Sequence, residues 1–196
     1  MRDLIRAILT VWFGIFYKVK VTGLEVFPAE GGAILCANHT HYKDLMLICY
    51  KLKRKVRWLA KAELFRFQPF ASLITRLGAF PVNRGKSDRS AVKTIYELLG
   101  KGEVVGIFPE GTRVRGNSSK PEIKRGFVSF ALKAKVPIYP VSIAFRSGPF
   151  RKCHMFSRID VIFQQPVVLD FERDYGNEDL NAIANEIMEN IYSVME

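Results

Sequence analysis

Short apolar runs that alternate with amphipathic helical patterns constrain the fold of this chain most. Three of the runs are 32–38, 103–109 and 137–145, and their length suits strands better than helices. Helical patterns separate them, at 42–52, 87–100 and 125–135. Strands that are apolar on both faces and alternate with helices are typical of parallel sheets. The sequence therefore predicts an α/β fold, with a mostly parallel central sheet flanked by helices.

The 196 residues are enough for one domain with a substantial core. No internal repeat, low-complexity linker or second domain boundary is visible in the sequence. Residues 4–17 form its most apolar stretch. A helix of about 14 residues is about 21 Å long, short of the roughly 30 Å hydrocarbon core of a membrane. We therefore predict an N-terminal amphipathic helix at 1–17 that associates with a membrane, followed by a domain at 18–196.

The N-terminal helix has two interpretations. As an interfacial helix it would insert its aromatic side chains into the lipid, namely Trp12, Phe13, Phe16 and Tyr17. Basic residues would then lie near the headgroups: Arg2, Arg6, Lys18 and Lys20. Alternatively, the same apolar run packs on the core of the domain itself. We favour the interfacial helix, although core packing stays open. A cleaved signal peptide is disfavoured because no small-residue cleavage site follows the run.

The net charge of +11 is unevenly distributed. Residues 170–196 contain eight acidic residues and one basic residue, so residues 1–169 carry +18. A cationic body binds polyanions, which include nucleic acid, an anionic membrane surface and phosphorylated substrates. Six basic residues and no acidic one lie between residues 51 and 61. Such a run is commonly a solvated face, but several bases of this kind would also hold a protein on anionic lipid.

A histidine and an aspartate follow the first buried run, at a strand end where α/β sheets bind ligands. His39 could act as a general base if Asp44 fixed its tautomer and stabilised the imidazolium. On one continuous helix the two side chains would point about 140° apart. A loop followed by a helix start would bring them together. An isolated pair at this spacing is weak evidence, since such a histidine more often caps or packs.

Three further segments carry candidate site residues. Segment 78–84 ends in Arg84, whose guanidinium could bind a phosphate bidentately or lie solvated at the surface. Segment 108–113 ends the run at 103–109 and offers charges, a hydroxyl and a glycine, although it could also be a simple turn. In segment 136–141, two prolines shape a wall more readily than they take part in chemistry.

The order and spacing of these four segments are specific. They read NHTHYKD, GAFPVNR, FPEGTR and VPIYPV. This succession resembles the glycerolipid acyltransferase family, in particular its bacterial 1-acyl-sn-glycerol-3-phosphate acyltransferases. The resemblance covers roughly residues 20–145 and also includes the segments between the motifs.

The resemblance implies a role for each motif. His39 would be the general base that takes the proton of an acceptor hydroxyl, and Asp44 would orient and polarise it. A second imidazole, His41, lies two residues away and competes for this assignment. The acceptor's phosphate would bind to Arg84, Glu110, Gly111, Thr112 and Arg113. The acyl or thioester region would be formed by Val136, Pro137, Ile138 and Pro140, within 136–141.

The resemblance also implies the reaction and its partners. A fatty acyl group would pass from acyl-CoA or an acyl-carrier protein to the free hydroxyl of lysophosphatidic acid, which gives phosphatidic acid without a cofactor or a metal ion. Alternative acceptors are another lysolipid and glycerol 3-phosphate. From a different class, the chain could be a catalytically silent binder of anionic lipid or nucleic acid, although it carries no nucleic-acid-binding motif.

The predicted location is the cytoplasmic face of the cell membrane, with peripheral or monotopic attachment. The three cysteines, Cys36, Cys49 and Cys153, have neither disulfide nor metal-site spacing, which indicates a reducing compartment. The expected macroscopic partner of the cationic body is an anionic membrane surface and not nucleic acid.

Overall fold

A seven-stranded sheet with helices on both faces organises the chain. The computed structural model describes residues 2–83, 88–114, 121–146 and 156–194. The strands are β1 (Lys18–Thr22), β2 (Ala33–Ala37), β3 (Val56–Lys61), β4 (Phe80–Val82), β5 (Val104–Ile107), β6 (Ile138–Phe145) and β7 (Arg158–Phe163). The helices are α1 (Arg2–Phe16), α2 (Asp44–Cys49), α3 (Gln68–Arg76), α4 (Arg89–Gly100), α5 (Gly126–Ala134) and α6 (Asn177–Ser193). Short 3₁₀ helices span Leu24–Val26 and Ala62–Phe65.

The strand order is β1-β7-β6-β2-β5-β3-β4. All neighbouring strands are parallel except β6 and β7, which are antiparallel. The prediction of a mostly parallel sheet flanked by helices is therefore confirmed. Strand β2 lies between β5 and β6, so its carboxyl end, which carries the His39 motif, opens at the centre of the sheet.

The two faces of the sheet bury separate cores. In β2, Leu35 points into the first core and Ile34 into the second, as the twofold repeat of a strand requires. The first core lies beneath α1 and α2, and the second beneath α4, α5 and α6. Both faces of β2 are fully buried, which explains why its sequence is continuously apolar.

Helix α1 combines the two interpretations that its sequence left open. Its aromatic side packs on the first core, where Phe13 is 1% exposed and Tyr17, just beyond the helix, is 5% exposed. The expectation that these two rings insert into lipid is therefore wrong, because they contact each other and Phe13 also contacts Tyr50. The opposite side exposes large aliphatic residues, each more than half exposed: Leu4, Ile8, Val11 and Ile15.

Among the described residues, no helix is both long and apolar enough to cross a membrane. Helix α1 has 15 residues and shares the first core with the strands. The division of the chain into 1–17 and 18–196 stays a prediction, as does the association of α1 with a membrane.

Candidate active site

The candidate site begins at the carboxyl end of β2 with a buried asparagine. The Asn38 side-chain amide donates to the Ile143 carbonyl (3.0 Å), and the Ile143 N–H donates to the Asn38 side-chain oxygen (2.8 Å). Asn38 is fully buried, so both bonds are shielded from water. They tie the chain leaving β2 to the neighbouring strand β6, and His39 therefore starts from a fixed backbone position.

The loop after Asn38 brings His39 and Asp44 together. The His39 Nδ1 atom lies 2.9 Å from Asp44 Oδ2, and the aspartate side chain is fully buried. The same oxygen accepts the backbone N–H groups of Thr40 (2.7 Å) and His41 (2.8 Å). Asp44 is the first residue of α2. The loop and the start of α2 thus join the pair, which the sequence had left as a possibility, while its catalytic role stays a prediction.

The contact with Asp44 determines what the imidazole of His39 can do. An ionised carboxylate only accepts hydrogen bonds, so Nδ1 carries the ring proton and Nε2 keeps its lone pair. The His39 side chain is 14% exposed, which leaves one edge of the ring accessible to a ligand. A neutral imidazole held in this tautomer by a buried carboxylate is suited to general base catalysis.

Two aromatic rings fix the plane of the imidazole. The His39 ring stacks on Phe108, with centroids 4.1 Å apart, and Phe108 stacks on Trp58 at 4.9 Å. The stack crosses three neighbouring strands, since His39 follows β2, Phe108 follows β5 and Trp58 lies in β3. Gly106 makes this possible, because a Cβ atom there would lie 2.5 Å from the Trp58 ring. Neither aromatic residue was predicted from the sequence to have a role in the site.

The FPEGTR segment and the residue after it bond to both backbone groups of His39. Glu110 Oε1 accepts the His39 N–H at 3.0 Å, and the Val114 N–H donates to the His39 carbonyl at 2.8 Å. The Tyr192 hydroxyl donates to the same Glu110 oxygen at 3.0 Å. Burial raises the pKa of Glu110, although hydrogen bonds from His39 and Tyr192 favour its ionised form. Glu110 is 5% exposed and contacts His39 through the backbone N–H of that residue.

The remaining residues of this segment lie nearer the solvent. Gly111 has a φ of +66°, a left-handed conformation that favours glycine and turns the chain sharply after Glu110. Thr112 and Arg113 are both exposed. The structure thus divides the predicted phosphate-binding set, with Glu110 buried and Thr112 and Arg113 at the surface. Arg84 lies outside the described residues. Phosphate binding by this set stays a prediction.

The second imidazole of the motif is held differently. The His41 ring lies against Phe145, with centroids 4.2 Å apart, and its Nδ1 atom lies 2.9 Å from the Thr40 hydroxyl. Burial lowers the pKa of His41 more strongly than the charge of Asp44 raises it, and the neighbouring cations lower it further. His41 bonds Asp44 through its backbone N–H, whereas His39 does so through its ring. This geometry favours His39 as the base.

A buried lysine joins α1 to the motif. Lys43 is 9% exposed. Its ammonium group donates to the Tyr17 hydroxyl, and it lies 4.5 Å from the centroid of the Tyr17 ring and 5.5 Å from that of Trp12. Hydrogen bonds and aromatic faces offset the cost of burying an ammonium group. The residue before Asp44 is thereby anchored to the N-terminal helix.

The predicted acyl region lies elsewhere in the fold. Ile138 pairs with Ile34 near the start of β2, about 16 Å along the strand from Ile143 at a strand rise of about 3.3 Å per residue. Val136 and Ile138 are buried in the second core. The structure does not bring the predicted set to His39: Val136, Pro137, Ile138 and Pro140. Its acyl or thioester role remains a prediction that the structure does not test.

A cavity of about 650 Å³ lies on the other side of the aromatic stack. It is lined mainly by apolar residues of α1, α2, β3, α3 and the adjoining segments, among them Leu9, Leu45, Met46, Trp58, Phe70 and Ile74. Trp58 belongs both to this wall and to the stack on His39. The volume falls within the range of about 300–1,000 Å³ that is typical of small-molecule sites. Sequence reasoning missed the cavity.

Metal binding is not indicated by the described part of the chain. It contains no group of three or more His, Cys, Asp or Glu side chains placed to hold a metal ion. The expectation that the reaction needs neither a metal nor a cofactor remains a prediction.

Comparisons with known proteins show which family the chain is similar to. A model of the acyltransferase family matches residues 18–144. The chain is 32% identical over 177 residues to the 1-acyl-sn-glycerol-3-phosphate acyltransferase of Bacillus subtilis, a match that covers 88% of this chain and 86% of that protein. It is 33% identical over 177 residues to the enzyme of the same name from Borreliella burgdorferi, covering 86% of this chain and 69% of that protein.

The fold also has a counterpart among solved structures. The crystal structure of PlsC, the 1-acyl-sn-glycerophosphate (LPA) acyltransferase from Thermotoga maritima, matches with a TM-score of 0.74. The match covers 98% of this chain and 79% of that one, at 24% sequence identity. At this identity the likeness establishes the α/β fold.

Proposed function

We propose that this chain, which belongs to the acyltransferase family, acylates 1-acyl-sn-glycerol 3-phosphate to give phosphatidic acid. Its His39 is paired with a buried carboxylate, as a general base requires. The chain is an O-acyltransferase by family. The relatives that carry this substrate in their names support the choice of acceptor. The observation that carries the proposal is the 2.9 Å contact between His39 Nδ1 and Asp44 Oδ2.

In the proposed reaction a proton passes from the acceptor hydroxyl to the departing thiolate, and a C–O bond replaces the C–S bond of the thioester. His39 Nε2 takes the proton of the acceptor hydroxyl while the oxygen attacks the thioester carbonyl carbon. Asp44 stabilises the imidazolium that forms. The tetrahedral intermediate collapses, the C–S bond breaks, and the imidazolium returns its proton to the departing thiolate. The products are an ester and a free thiol, which is either coenzyme A or an acyl-carrier protein.

We assign the acceptor's phosphate to the cationic residues beside the motif. Arg113 is exposed, and its charge lies close enough to His41 to lower the pKa of that imidazole. A guanidinium binds phosphate through two parallel hydrogen bonds. Gly111, Thr112 and Arg84 complete the proposed phosphate site. Glu110 belongs to it indirectly, because its buried carboxylate would repel a phosphate in direct contact.

We assign the fatty acyl chain to the 650 Å³ cavity. Its wall is largely apolar, and Trp58 forms part of both this wall and the stack that ends on His39. An acyl chain in the cavity would therefore extend away from the reacting carbonyl. This assignment is better supported by position than the one to Val136, Pro137, Ile138 and Pro140.

We place the membrane against the exposed aliphatic side of α1 and the apolar residues around α3. The exposed residues of the second group are Leu64, Phe67, Phe70 and Leu77. Three of these four line the cavity, so a lipid chain could enter it directly from the bilayer. An interfacial helix with one aliphatic side is suited to such contact. We propose peripheral or monotopic attachment at the cytoplasmic face of the cell membrane.

The basic run at 51–61 contributes fewer cations to this surface than its sequence suggests. Arg54 donates to the Gly31 and Gly102 carbonyls, at 2.8 and 2.6 Å, and Arg57 forms an ion pair with Glu103. These two guanidinium groups hold loops in place. The exposed bases that remain for anionic lipid are Lys51 and Lys53, since Lys61 pairs with Glu63 at 3.1 Å.

The reaction is tested by the products formed from lysophosphatidic acid, other lysolipids and glycerol 3-phosphate with each thioester donor. We expect phosphatidic acid from lysophosphatidic acid to dominate, and His39→Ala to lower its turnover by about 10²–10⁴-fold. His41→Gln serves as the matched control and is expected to keep most of the activity. Equal losses in the two variants would refute the base assignment, and a different preferred acceptor would replace the proposed substrate.

The acyl site is tested by fluorescence, since Trp12 and Trp58 are the two tryptophans of the chain. A brominated fatty acid should quench Trp58 in the Trp12→Phe variant, because Trp58 lines the cavity. Quenching should be weaker in Trp58→Phe, which retains Trp12. Equal or reversed quenching would place the acyl chain elsewhere.

The membrane surface is tested by sedimentation with vesicles that contain phosphatidylglycerol. The double variant Ile8→Ser/Ile15→Ser should bind at least about tenfold more weakly. Burial of each isoleucine side chain in the lipid would contribute about 1.5–3 kcal/mol to binding. Val168→Ser is the matched control, since Val168 is 64% exposed but lies after β7. Undiminished binding of the double variant would contradict the proposed surface.

A further inference from the structure

A tyrosine outside the matched family region reaches the candidate active site. Tyr192 lies in the last turn of α6, and the family model ends at residue 144. Its hydroxyl donates to Glu110 Oε1 at 3.0 Å, and the same oxygen accepts the His39 N–H at 3.0 Å. One carboxylate oxygen therefore connects the C-terminal helix to the residue assigned as the general base.

The end of α6 is fixed against the sheet, so this contact is held in place. Ile191 is fully buried, and its carbonyl accepts the Ser142 hydroxyl at 2.7 Å. The Gln164 side-chain amide donates to the Asn190 carbonyl at 3.2 Å. Because the two residues before Tyr192 are bound to β6 and to the segment after β7, the phenol reaches Glu110 from a fixed backbone position.

Because the Glu110 carboxylate is buried, the hydrogen bonds that it accepts are important for keeping it ionised. Its second oxygen, Oε2, is buried and has no hydrogen-bond partner among the described residues. The titratable groups that face the carboxylate are His39, Tyr192 and Cys36. Burial, together with the charge of Glu110, raises the pKa values of Tyr192 and Cys36. The phenol therefore keeps its proton and remains a donor.

We propose that Tyr192 is a positioning residue, whose hydroxyl holds the Glu110 carboxylate against the His39 N–H and thereby fixes the imidazole for proton transfer. The proposal rests on the proposed function of His39. It gives the acidic C-terminal helix a part in the reaction without contact to the substrate. It also gives Glu110 a role beneath the base, distinct from phosphate binding.

The direction of the pH effect follows from the hydrogen bond. Burial disfavours the Glu110 carboxylate, and the two donors favour it. Removing the Tyr192 hydroxyl must therefore raise the pKa of Glu110 further. A hydrogen bond to a charged group corresponds to about one pH unit. Activity that requires the Glu110 carboxylate should then be lost at a higher pH as the solution is acidified.

The experiment compares Tyr192→Phe, Glu110→Gln and the double variant with the wild type. In Tyr192→Phe we expect kcat to fall about tenfold and KM for the acceptor to stay unchanged. The step that Glu110 contributes to the acid limb of the kcat–pH profile should move up by about one pH unit. In Glu110→Gln the step contributed by Glu110 should disappear, leaving only the loss of activity that protonation of the base causes. Adding Tyr192→Phe should change kcat by less than about twofold, since the two residues act through one contact. Tyr96→Phe, which removes a hydroxyl from α4, is the matched control and should behave as wild type.

A second readout does not depend on turnover. The backbone amide resonance of His39 should show a titration step from Glu110 in addition to any from its own ring. The midpoint of the Glu110 step should rise by about one pH unit in Tyr192→Phe, and that step should be absent in Glu110→Gln. Wild-type turnover with unshifted midpoints, or independent additive losses in the double variant, would overturn the positioning role. A shifted midpoint in a protein that acylates no lysolipid would instead refute the proposed function and leave the Tyr192–Glu110–His39 connection supported. If Tyr192→Phe fails to fold, 3-fluorotyrosine at residue 192, a stronger donor, should lower the midpoint, and an unchanged midpoint would overturn the role.

Discussion

The hydrogen bonds accepted by one oxygen of Asp44 organise the candidate site. Oδ2 accepts from the His39 ring and from the N–H groups of Thr40 and His41, at 2.7–2.9 Å. The aspartate is fully buried, so these bonds are not weakened by solvent. The single carboxylate closes the turn, begins α2 and sets the imidazole tautomer.

The parallel sheet supplies the remaining constraints on His39. Asn38 ties the strand end to β6, Phe108 stacks on the ring from the end of β5, and Glu110 accepts the backbone N–H. These groups meet because neighbouring parallel strands end at the same edge. Lys43 and Tyr192 extend the support to the two terminal helices. The base is thus held from several elements, while its acyl cavity is assigned to the opposite side of the Trp58 ring.

Local patterns in the sequence predicted the elements, because strand alternation and helical periodicity depend on neighbouring residues. They left the His39–Asp44 contact only possible, since a five-residue spacing joins the two side chains in a loop but not on a helix. The buried side of α1 was predicted wrongly: its aromatic rings suit a membrane interface and a core equally well, and only the position of Tyr50 decides between them. The cavity and the Tyr192–Glu110 bond could not be predicted, since they join elements far apart in the chain. Arg84, which lies outside the described residues, stays a sequence-based prediction.

The central claim is that the Asp44 carboxylate makes His39 a base, and Asp44→Asn tests it most directly. Asparagine retains an oxygen for the Thr40 and His41 N–H groups but cannot stabilise an imidazolium and can impose the wrong tautomer. With Asp174→Asn, an exposed site, as the control, and with the circular dichroism spectrum unchanged, kcat at neutral pH should fall by about 10⁴-fold. A kcat within about tenfold of the wild type would contradict the account.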